Sequence, residues 1–256
     1  MVAGVDDVRL PRAKGLAYRE FLATLHTEFL FDWYLEIGCR QGESFAPVRS
    51  KTIAVDPAFH ISSNVMNAKP MLLLCQMTSD AFFEQGILNS LSARPSVSFL
   101  DGMHLFEYLL RDFLNTEANS RPDGVIIMHD CCPSRLEITT RDLKNRPKGA
   151  WTGDVWKLLP ILRTYRPDLK IDVLDAAPTG LVVVSGLDPE NRVLKTEYDR
   201  IVEEYATMTL ADYGVARFAK EVSFQSAAAV VEQGFPLFQP LAQDLQSQKQ
   251  PRQMSA

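Results

Sequence analysis

Residues 33–42 constrain the fold of this chain more than any other stretch, because they join an apolar run to a glycine-containing turn. They read Trp-Tyr-Leu-Glu-Ile-Gly-Cys-Arg-Gln-Gly, with the two glycines four residues apart. Glycines in such a turn let the backbone approach a ligand without a Cβ atom in the way. A second apolar run ends in Asp56, whose carboxylate can bind a ribose diol as the acid of dinucleotide sites does. This order predicts a nucleotide-sized pocket at the ends of two buried strands.

Seven apolar segments of strand length predict a sheet. Several are continuous apolar runs, which are typical of strands covered on both faces, as in a parallel sheet between two helical layers. Only residues 175–180 separate the last two segments, and a link that short cannot hold a crossover helix, so we expect this pair to be antiparallel. The predicted fold class is α/β, a three-layer Rossmann-like sandwich whose mostly parallel sheet has an antiparallel last strand. The seven candidate strands are 33–37, 52–55, 71–76, 97–100, 124–128, 171–174 and 181–184.

Apolar stripes predict helices between these strands. Leu105 begins a stripe at i, i+3, i+4 and i+8, and Glu107 and Arg111 can pair on the wet side of that helix. A second stripe begins at Val155 and contains Pro160, which either kinks the helix or marks its real start.

The remaining chain is expected to be an extension of one domain. Helices are predicted over 196–210 and 226–231, and from residue 235 onward the chain is rich in Gln and Pro and lacks periodicity, so we expect a disordered tail. The predicted organisation is a helical lead-in over 1–31 that includes a helix at 15–31, a cofactor-binding domain over 32–190, a helical extension over 191–234 and the tail over 235–256.

Composition narrows the function classes. The net charge of −5 and the lack of a basic cluster give no reason to expect nucleic acid as a partner. No stretch approaches the roughly 20 apolar residues that cross a bilayer. The four cysteines form no C-x-x-C pair, which is typical of reduced thiols in a cytoplasmic protein.

Polar residues follow the fourth and fifth strands, where open α/β sheets bind their ligands. Asp101 and His104 come after the fourth strand, and Asp130 comes after the fifth. Two carboxylates and an imidazole suit a hard divalent cation such as Mg²⁺, with His104 as general base. The alternative is that Asp101 caps the following helix and His104 is a surface residue. His129 is either a further metal-shell residue or a core histidine that orients Asp130.

The residues at the other strand ends also have two interpretations. Asp56 precedes Pro57, and Asp-Pro often only initiates a turn. Thr78 or Ser79 either contacts a ligand or is the N-cap of the next helix.

Together these residues resemble class I S-adenosylmethionine-dependent methyltransferases over about residues 33–187. The stretch Glu-Ile-Gly-Cys-Arg-Gln-Gly from Glu36 looks like the first motif of that family, and Ile-Ala-Val-Asp-Pro looks like its second. The resemblance implies a Rossmann-like methyltransferase sandwich that binds S-adenosylmethionine. It also implies that Gly38 and Gly42 pass the methionine part, Glu36 supports the loop, Asp56 holds the ribose, and Thr78 and Ser79 lie near the adenine.

The stretch Asp-Gly-Met-His at 101–104, followed by Ile-Met-His-Asp at 127–130, is similar to a branch that includes macrocin-type sugar O-methyltransferases. In that branch a D-x-x-H supplies a metal-binding Asp and a basic His, which match Asp101 and His104. An acidic pair commonly completes the metal site, and here it reads His129-Asp130, so only Asp130 carries over cleanly.

The sequence therefore predicts a Mg²⁺-assisted O-methyltransferase that acts on a hydroxyl of a sugar, glycan or natural product. Residues 133–150 are rich in Arg and Lys and form either a lid for an anionic acceptor or a solvated loop. One rival is an NAD-dependent oxidoreductase, although Gly-x-Gly-x-x-Gly is missing. The other is a non-catalytic binding protein that keeps the fold.

Overall fold

A single eight-stranded sheet organises residues 9–242, the part of the chain that this computed structural model describes. The spatial order is β3-β2-β1-β4-β5-β7-β6-β8, with β7 antiparallel to both of its neighbours and the other pairs parallel. The predicted fold class is therefore confirmed, including the antiparallel pair on either side of 175–180. The two-residue β8 was not predicted. The strands are β1 Trp33–Ile37, β2 Lys51–Val55, β3 Leu72–Cys75, β4 Val97–Leu100, β5 Val125–His129, β6 Lys170–Leu174, β7 Leu181–Ser185 and β8 Phe224–Gln225.

Side chains alternate between two buried layers along these strands. On β1, Leu35 packs into a layer with α4 and α5, whereas Tyr34 packs into the opposite layer with α1 and α10. Burial of both faces explains why β1 is a continuous apolar run. The helices are α1 Tyr18–Glu28, α2 Ser79–Glu84, α3 Ile87–Ser90, α4 Phe106–Asn119, α5 Leu158–Tyr165, α6 Val193–Thr196, α7 Tyr198–Tyr205, α8 Leu210–Tyr213, α9 Val215–Glu221 and α10 Ala227–Glu232. The longest of them, α4, has 14 residues, and no helix within 9–242 combines the length and apolar character of a bilayer span.

Two helix predictions need adjustment. The helix expected over 196–210 ends at Tyr205, and a new helix, α8, begins after Thr209, whose side chain and that of Asp212 form a capping box. Pro160 does not kink α5, because it lies in the first turn, where its missing N–H has no intrahelical partner to lose.

The expected pairing of Glu107 with Arg111 is wrong. The Arg111 guanidinium binds Asp80 on α2 through two bonds of 2.8 Å, and the Glu107 carboxylate binds Arg141 at 2.7 and 2.9 Å. Both partners come from other segments, so helical spacing could not predict them.

The tail prediction is also wrong for residues 235–242. Phe235, Phe238 and Leu241 are at most 3% exposed and pack in the same layer as α1 and α10. Their i, i+3, i+6 spacing places all three on one side of a short helical turn that ends in the 3₁₀ helix Gln239–Leu241. The rest of the predicted tail, 243–256, lies outside the described residues.

Candidate functional site

The carboxyl ends of the parallel strands open into one cavity of about 880 Å³. Ile37 pairs with Val55 on one side and with Leu100 on the other, and Leu100 pairs with Met128. Because these strands end in register, the residues that follow them meet at one edge of the sheet. The predicted residues lining the cavity are Gly38, Asp56, Thr78, Ser79, Asp101, His104, His129 and Asp130.

Gly38 is required by the packing of the chain itself. Its φ of +87° is disfavoured for residues with a side chain, and a Cβ atom there would lie 2.1 Å from the carbonyl oxygen of Asp101. The glycine thus lets the turn after β1 touch the turn after β4. Gly42, with φ +80°, does not line the cavity, and a Cβ atom there would lie 2.6 Å from Val65.

Glu36 supports the turn from inside the protein and does not line the cavity. Its carboxylate is fully buried and accepts hydrogen bonds from the Tyr34 hydroxyl at 2.6 Å and the Ser44 hydroxyl at 2.5 Å. Burial raises the pKa of Glu36 to about 7, although both hydrogen bonds act to lower it. Glu36 is thus bonded through Ser44 to the segment after the turn, and its supporting role stays a prediction.

Asp56 organises both turns that flank the cavity at the end of β2. Its Oδ2 accepts the backbone N–H of Arg40 at 2.8 Å, and its Oδ1 accepts that of Ala58 at 2.7 Å. The second bond is the local turn expected of Asp-Pro. The first links Asp56 to the glycine-containing turn, where Arg40 itself has a positive φ of 38°.

Thr78 is the N-cap of α2, since its hydroxyl accepts the N–H of Ala81 at 3.3 Å. Ser79 contacts the buried carboxyl of Asp112, which also lines the cavity. Burial raises the pKa of Asp112 to about 7. Asp112 was not among the predicted site residues, although its position seven residues after Leu105 places it on the apolar stripe of α4.

Asp101, His104 and Asp130 form a cluster, and each offers a ligand atom within 4.8 Å of the other two. Nε2 of His104 lies 3.4 Å from Oδ1 of Asp101 and 3.2 Å from Oδ2 of Asp130. Asp101 does not cap α4, because the first N–H of that helix, on Phe106, is accepted by Asp154. Asp130 has a positive φ of 61°, a strained conformation of the kind that concentrates at functional sites.

His129 lies against both carboxylates from the protein interior. Its Nδ1 is 3.3 Å from Oδ1 of Asp101 and 3.5 Å from Oδ2 of Asp130, and its ring lies 4.0 Å from that of Tyr18. Burial alone would lower the pKa of His129, but the negative charges of Asp130 and Asp101 raise it to about 10. His129 therefore contacts both carboxylates, not Asp130 alone.

The contacts between the imidazoles and the carboxylates of the cluster together outweigh the effect of burial on their pKa values. Burial opposes ionisation of Asp101, yet His129 and His104 hold its pKa below the ordinary value. Burial also acts to lower the pKa of His104, but the hydrogen bond to Asp101 and the charge of Asp130 raise it.

Two residues that the sequence reasoning missed complete the cluster. The backbone carbonyl of Trp151 lies 2.7 Å from Nδ1 of His104, and the Thr179 hydroxyl donates to Oδ1 of Asp130 at 2.6 Å. Trp151 is 47 residues from His104 in the chain, and Thr179 is 49 residues from Asp130. No spacing in the sequence signals either contact.

The basic segment 133–150 is anchored and forms part of the cavity wall. Arg141 bridges the carboxylates of Glu107 and Asp154, which fixes the segment to α4. Arg146 lines the cavity and lies 5.2 Å from the ring of Trp151. The segment is thus neither wholly solvated nor detached from the site.

Comparisons with known proteins find structural likenesses only. No family model matches the chain, and no curated protein matches it. An O-methyltransferase from Bacillus cereus in complex with SAH is 14% identical, with 68% of this chain and 83% of that one covered and a TM-score of 0.46. TomG, an O-methyltransferase from Streptomyces achromogenes in complex with SAM, is 13% identical, with 65% and 78% covered and a TM-score of 0.47.

A third solved structure is the MycE methyltransferase from the mycinamycin biosynthetic pathway, in complex with Mg, SAH and mycinamycin VI. It is 12% identical, with 63% of this chain and 46% of that one covered and a TM-score of 0.41. Likenesses of this size do not decide an activity, so the site residues alone carry the functional proposal.

Proposed function

We propose that this protein is an S-adenosylmethionine-dependent O-methyltransferase. The observation that carries the proposal is that a single cavity is lined both by the turns after β1 and β2 and by the Asp101–His104–Asp130 cluster. A methyl donor held at Gly38 and Asp56 would therefore share its cavity with a hydroxyl held at the cluster.

The residues on the cofactor side of the cavity fit S-adenosylmethionine. Each carboxylate oxygen of Asp56 accepts one backbone N–H, and because an oxygen has two lone pairs, each keeps an acceptor position for a ribose hydroxyl. Thr78 and Ser79, which we assign to the adenine end, line the same cavity.

The cluster fits a divalent cation, because two carboxylates and an imidazole offer three ligand atoms in close proximity. A cation bound there would lower the pKa of a coordinated hydroxyl. Mg²⁺ is the cation that the sequence predicted from the two carboxylates.

The chain supplies positioning and a route for the proton. When bound, S-adenosylmethionine would supply the sulfonium methyl group: the acceptor oxygen would form the new bond to carbon, and the sulfur would keep the electron pair of the bond that breaks. Holding the two partners in line accounts for much of the rate enhancement. The hydroxyl proton must also leave, and the Nε2 lone pair of His104 can take it, as predicted, or can bind the cation.

We propose a hydroxyl of a sugar, glycan or natural product as the acceptor. Support comes from the aromatic side chains of Tyr18, Tyr108 and Trp151, which line the cavity and offer flat apolar surfaces beside polar groups. The cysteines are buried and unpaired, which supports a cytoplasmic location.

The proposal is tested first by binding and then by turnover. S-adenosylhomocysteine and NAD are titrated separately into the full chain by calorimetry, and we expect only the first to bind. If NAD bound and S-adenosylhomocysteine did not, the oxidoreductase would be favoured and the proposal contradicted. Labelled S-adenosylmethionine is then incubated with a panel of sugars and glycosides. Label transferred to acceptor oxygen supports the enzyme, whereas cofactor binding without transfer to any acceptor favours the non-catalytic alternative.

A further inference from the structure

The tautomer of His104 is determined by its surroundings. Its Nδ1 lies 2.7 Å from the carbonyl oxygen of Trp151, and a carbonyl oxygen can only accept, so Nδ1 carries the hydrogen. In the neutral ring the lone pair is then on Nε2, which faces Oδ1 of Asp101 and Oδ2 of Asp130. Three electron-rich atoms therefore converge on one region of the cavity.

The contacts of Thr179 determine the tautomer of the neutral His129 ring in the same way. The single hydroxyl hydrogen of Thr179 is donated to Oδ1 of Asp130, so in its 3.3 Å contact with Nε2 of His129 the Thr179 oxygen accepts. In the neutral ring of His129 the lone pair is then on Nδ1, facing the same two carboxylates. The imidazole lone pairs of His104 and His129 face the same two carboxylates and repel them. Either protons or a metal ion between these groups would remove that repulsion.

The two separations from His104 to the carboxylates fit a metal ion. Ligand atoms bonded at about 2.0–2.2 Å and at tetrahedral or octahedral angles lie roughly 2.9–3.5 Å apart. Nε2 of His104 is 3.4 Å and 3.2 Å from the two carboxylate oxygens. Histidines that bind metals commonly donate their other N–H to a backbone carbonyl, as Nδ1 of His104 does to Trp151.

The donor set does not match Mg²⁺ well. Mg²⁺ prefers oxygen ligands and keeps several waters, whereas imidazole nitrogen suits first-row transition metals, whose affinities for a mixed nitrogen–oxygen site rise from Mn²⁺ toward Cu²⁺. The residue before Asp130 is His129, so the carboxylates of the cluster are only those of Asp101 and Asp130, and its third ligand is the imidazole of His104.

We infer that Asp101, His104 and Asp130 form a site for a first-row transition-metal ion, with Nε2 of His104 as a metal ligand instead of a general base. The inference deepens the proposed function and rests on it to the extent that the cluster holds a cation. It changes both the predicted metal and the predicted role of His104.

The test compares metals on the full chain without cofactor or acceptor, so its outcome does not depend on methyl transfer. We expect one Co²⁺ per chain, seen by its visible absorption, with an affinity on the order of 100-fold above that for Mg²⁺. In pulsed electron paramagnetic resonance, bound Mn²⁺ should show coupling to an imidazole nitrogen, a readout that needs no variant. Equal or tighter binding of Mg²⁺, or Mn²⁺ bound without nitrogen coupling, would overturn the inference.

A variant pair identifies the ligand. The change His104→Asp replaces nitrogen by oxygen and should lower the preference for Co²⁺ over Mg²⁺ by roughly 10- to 100-fold. The matched control is His60→Asp, because His60 is exposed and lines the same cavity but is not part of the cluster. Circular dichroism checks that both variants fold, and His104→Gln replaces His104→Asp if the latter does not.

A metal preference that His104→Asp leaves unchanged, or that His60→Asp changes equally, would contradict the assignment of His104. Binding of S-adenosylhomocysteine with no binding of Co²⁺, Mn²⁺ or Mg²⁺ would refute the cation site and leave the proposed methyl transfer standing. Metal binding without S-adenosylhomocysteine binding would refute the proposed methyl transfer and leave the cation site standing.

Discussion

The two sides of the cavity are built in different ways. On the cofactor side, Asp56 holds the backbone N–H groups of Arg40 and Ala58, which lie 16 and 2 residues away in the chain. On the cluster side, His104 and Asp130 are held by Trp151 and Thr179, which lie 47 and 49 residues away. The cofactor side depends on backbone conformation over short distances, and the cluster side depends on side chains that the fold brings together.

The sides also differ in how their charges are compensated. The Asp56 carboxylate accepts two backbone N–H groups, whereas the Asp101 and Asp130 carboxylates face imidazoles. A change in one side chain should therefore affect the cluster without altering the cofactor side. Gly38 is the exception, because it is in contact with both.

The largest effect is expected from Gly38→Ala. The new Cβ atom would lie 2.1 Å from the carbonyl oxygen of Asp101, and the φ of +87° would be strained as well. We expect a loss of more than about 4 kcal/mol in the free energy of unfolding, together with loss of S-adenosylhomocysteine binding. The measurements are urea unfolding and calorimetry.

The control for this change is Gly86→Ala, because Gly86 has a φ of +63° but nothing within 4 Å of an added Cβ atom. It isolates the backbone strain, which costs about 1–2 kcal/mol. If both variants lost the same free energy of unfolding, the close approach of Gly38 to Asp101 would make no contribution to stability.

The next effect is expected from Asp101→Ala. Removal of one carboxylate from the cluster should lower methyl transfer by roughly 10²- to 10³-fold, since charge stabilisation at the reacting oxygen is lost. S-adenosylhomocysteine affinity should remain within about twofold, because Asp56 and its backbone partners are untouched. Full activity of the wild-type protein in excess EDTA would show that the cluster is structural. Equal losses of rate and of S-adenosylhomocysteine affinity in Asp101→Ala would show that the two sides are not separable.

A smaller effect is expected from Thr179→Val. The hydroxyl that donates to Asp130 at 2.6 Å is removed at nearly constant volume, and loss of such a supporting bond typically lowers metal affinity by about 10- to 100-fold. Thr116→Val is the matched control, since the buried Thr116 hydroxyl has no hydrogen-bond partner. Metal titration of both variants measures the difference in affinity. An unchanged metal affinity in Thr179→Val would show that Thr179 does not support the site.

The smallest effect is the pH dependence of the free energy of unfolding that comes from Glu36, which lies behind the glycine-containing turn. Burial raises the pKa of Glu36 from 4.5 to about 7, so between these values the folded protein holds a proton that the unfolded chain releases. The free energy of unfolding should therefore fall as pH rises, by about 2 kcal/mol between pH 5.5 and 7.5 from this group alone.

The change Glu36→Gln should remove that part of the pH dependence. Asp112, whose pKa is also raised to about 7, contributes with the same sign to both proteins and cancels in the comparison. Urea unfolding at several pH values measures the difference. Parallel curves for the two proteins would mean that Glu36 is ionised in the folded state throughout this range.

Much of the sheet could be predicted from the sequence because its strands are buried on both faces and are therefore continuous apolar runs. The run at 33–37 was predicted with the bounds that β1 has. The region after residue 190 was predicted less well, because its helices are short and their ends are decided by caps such as Thr209 and by burial of Phe235 and Phe238.

The sequence by itself determined which groups stand at the carboxyl edge, since register in a parallel sheet places the residues that follow β1, β2, β4 and β5 together. It thus determined that Gly38, Asp56, Asp101 and Asp130 share a cavity. Only the tertiary structure decided what completes the cluster. Trp151 and Thr179 reach it through irregular segments that have no periodicity to read, and their contacts determine which nitrogen of each imidazole is left to face the carboxylates.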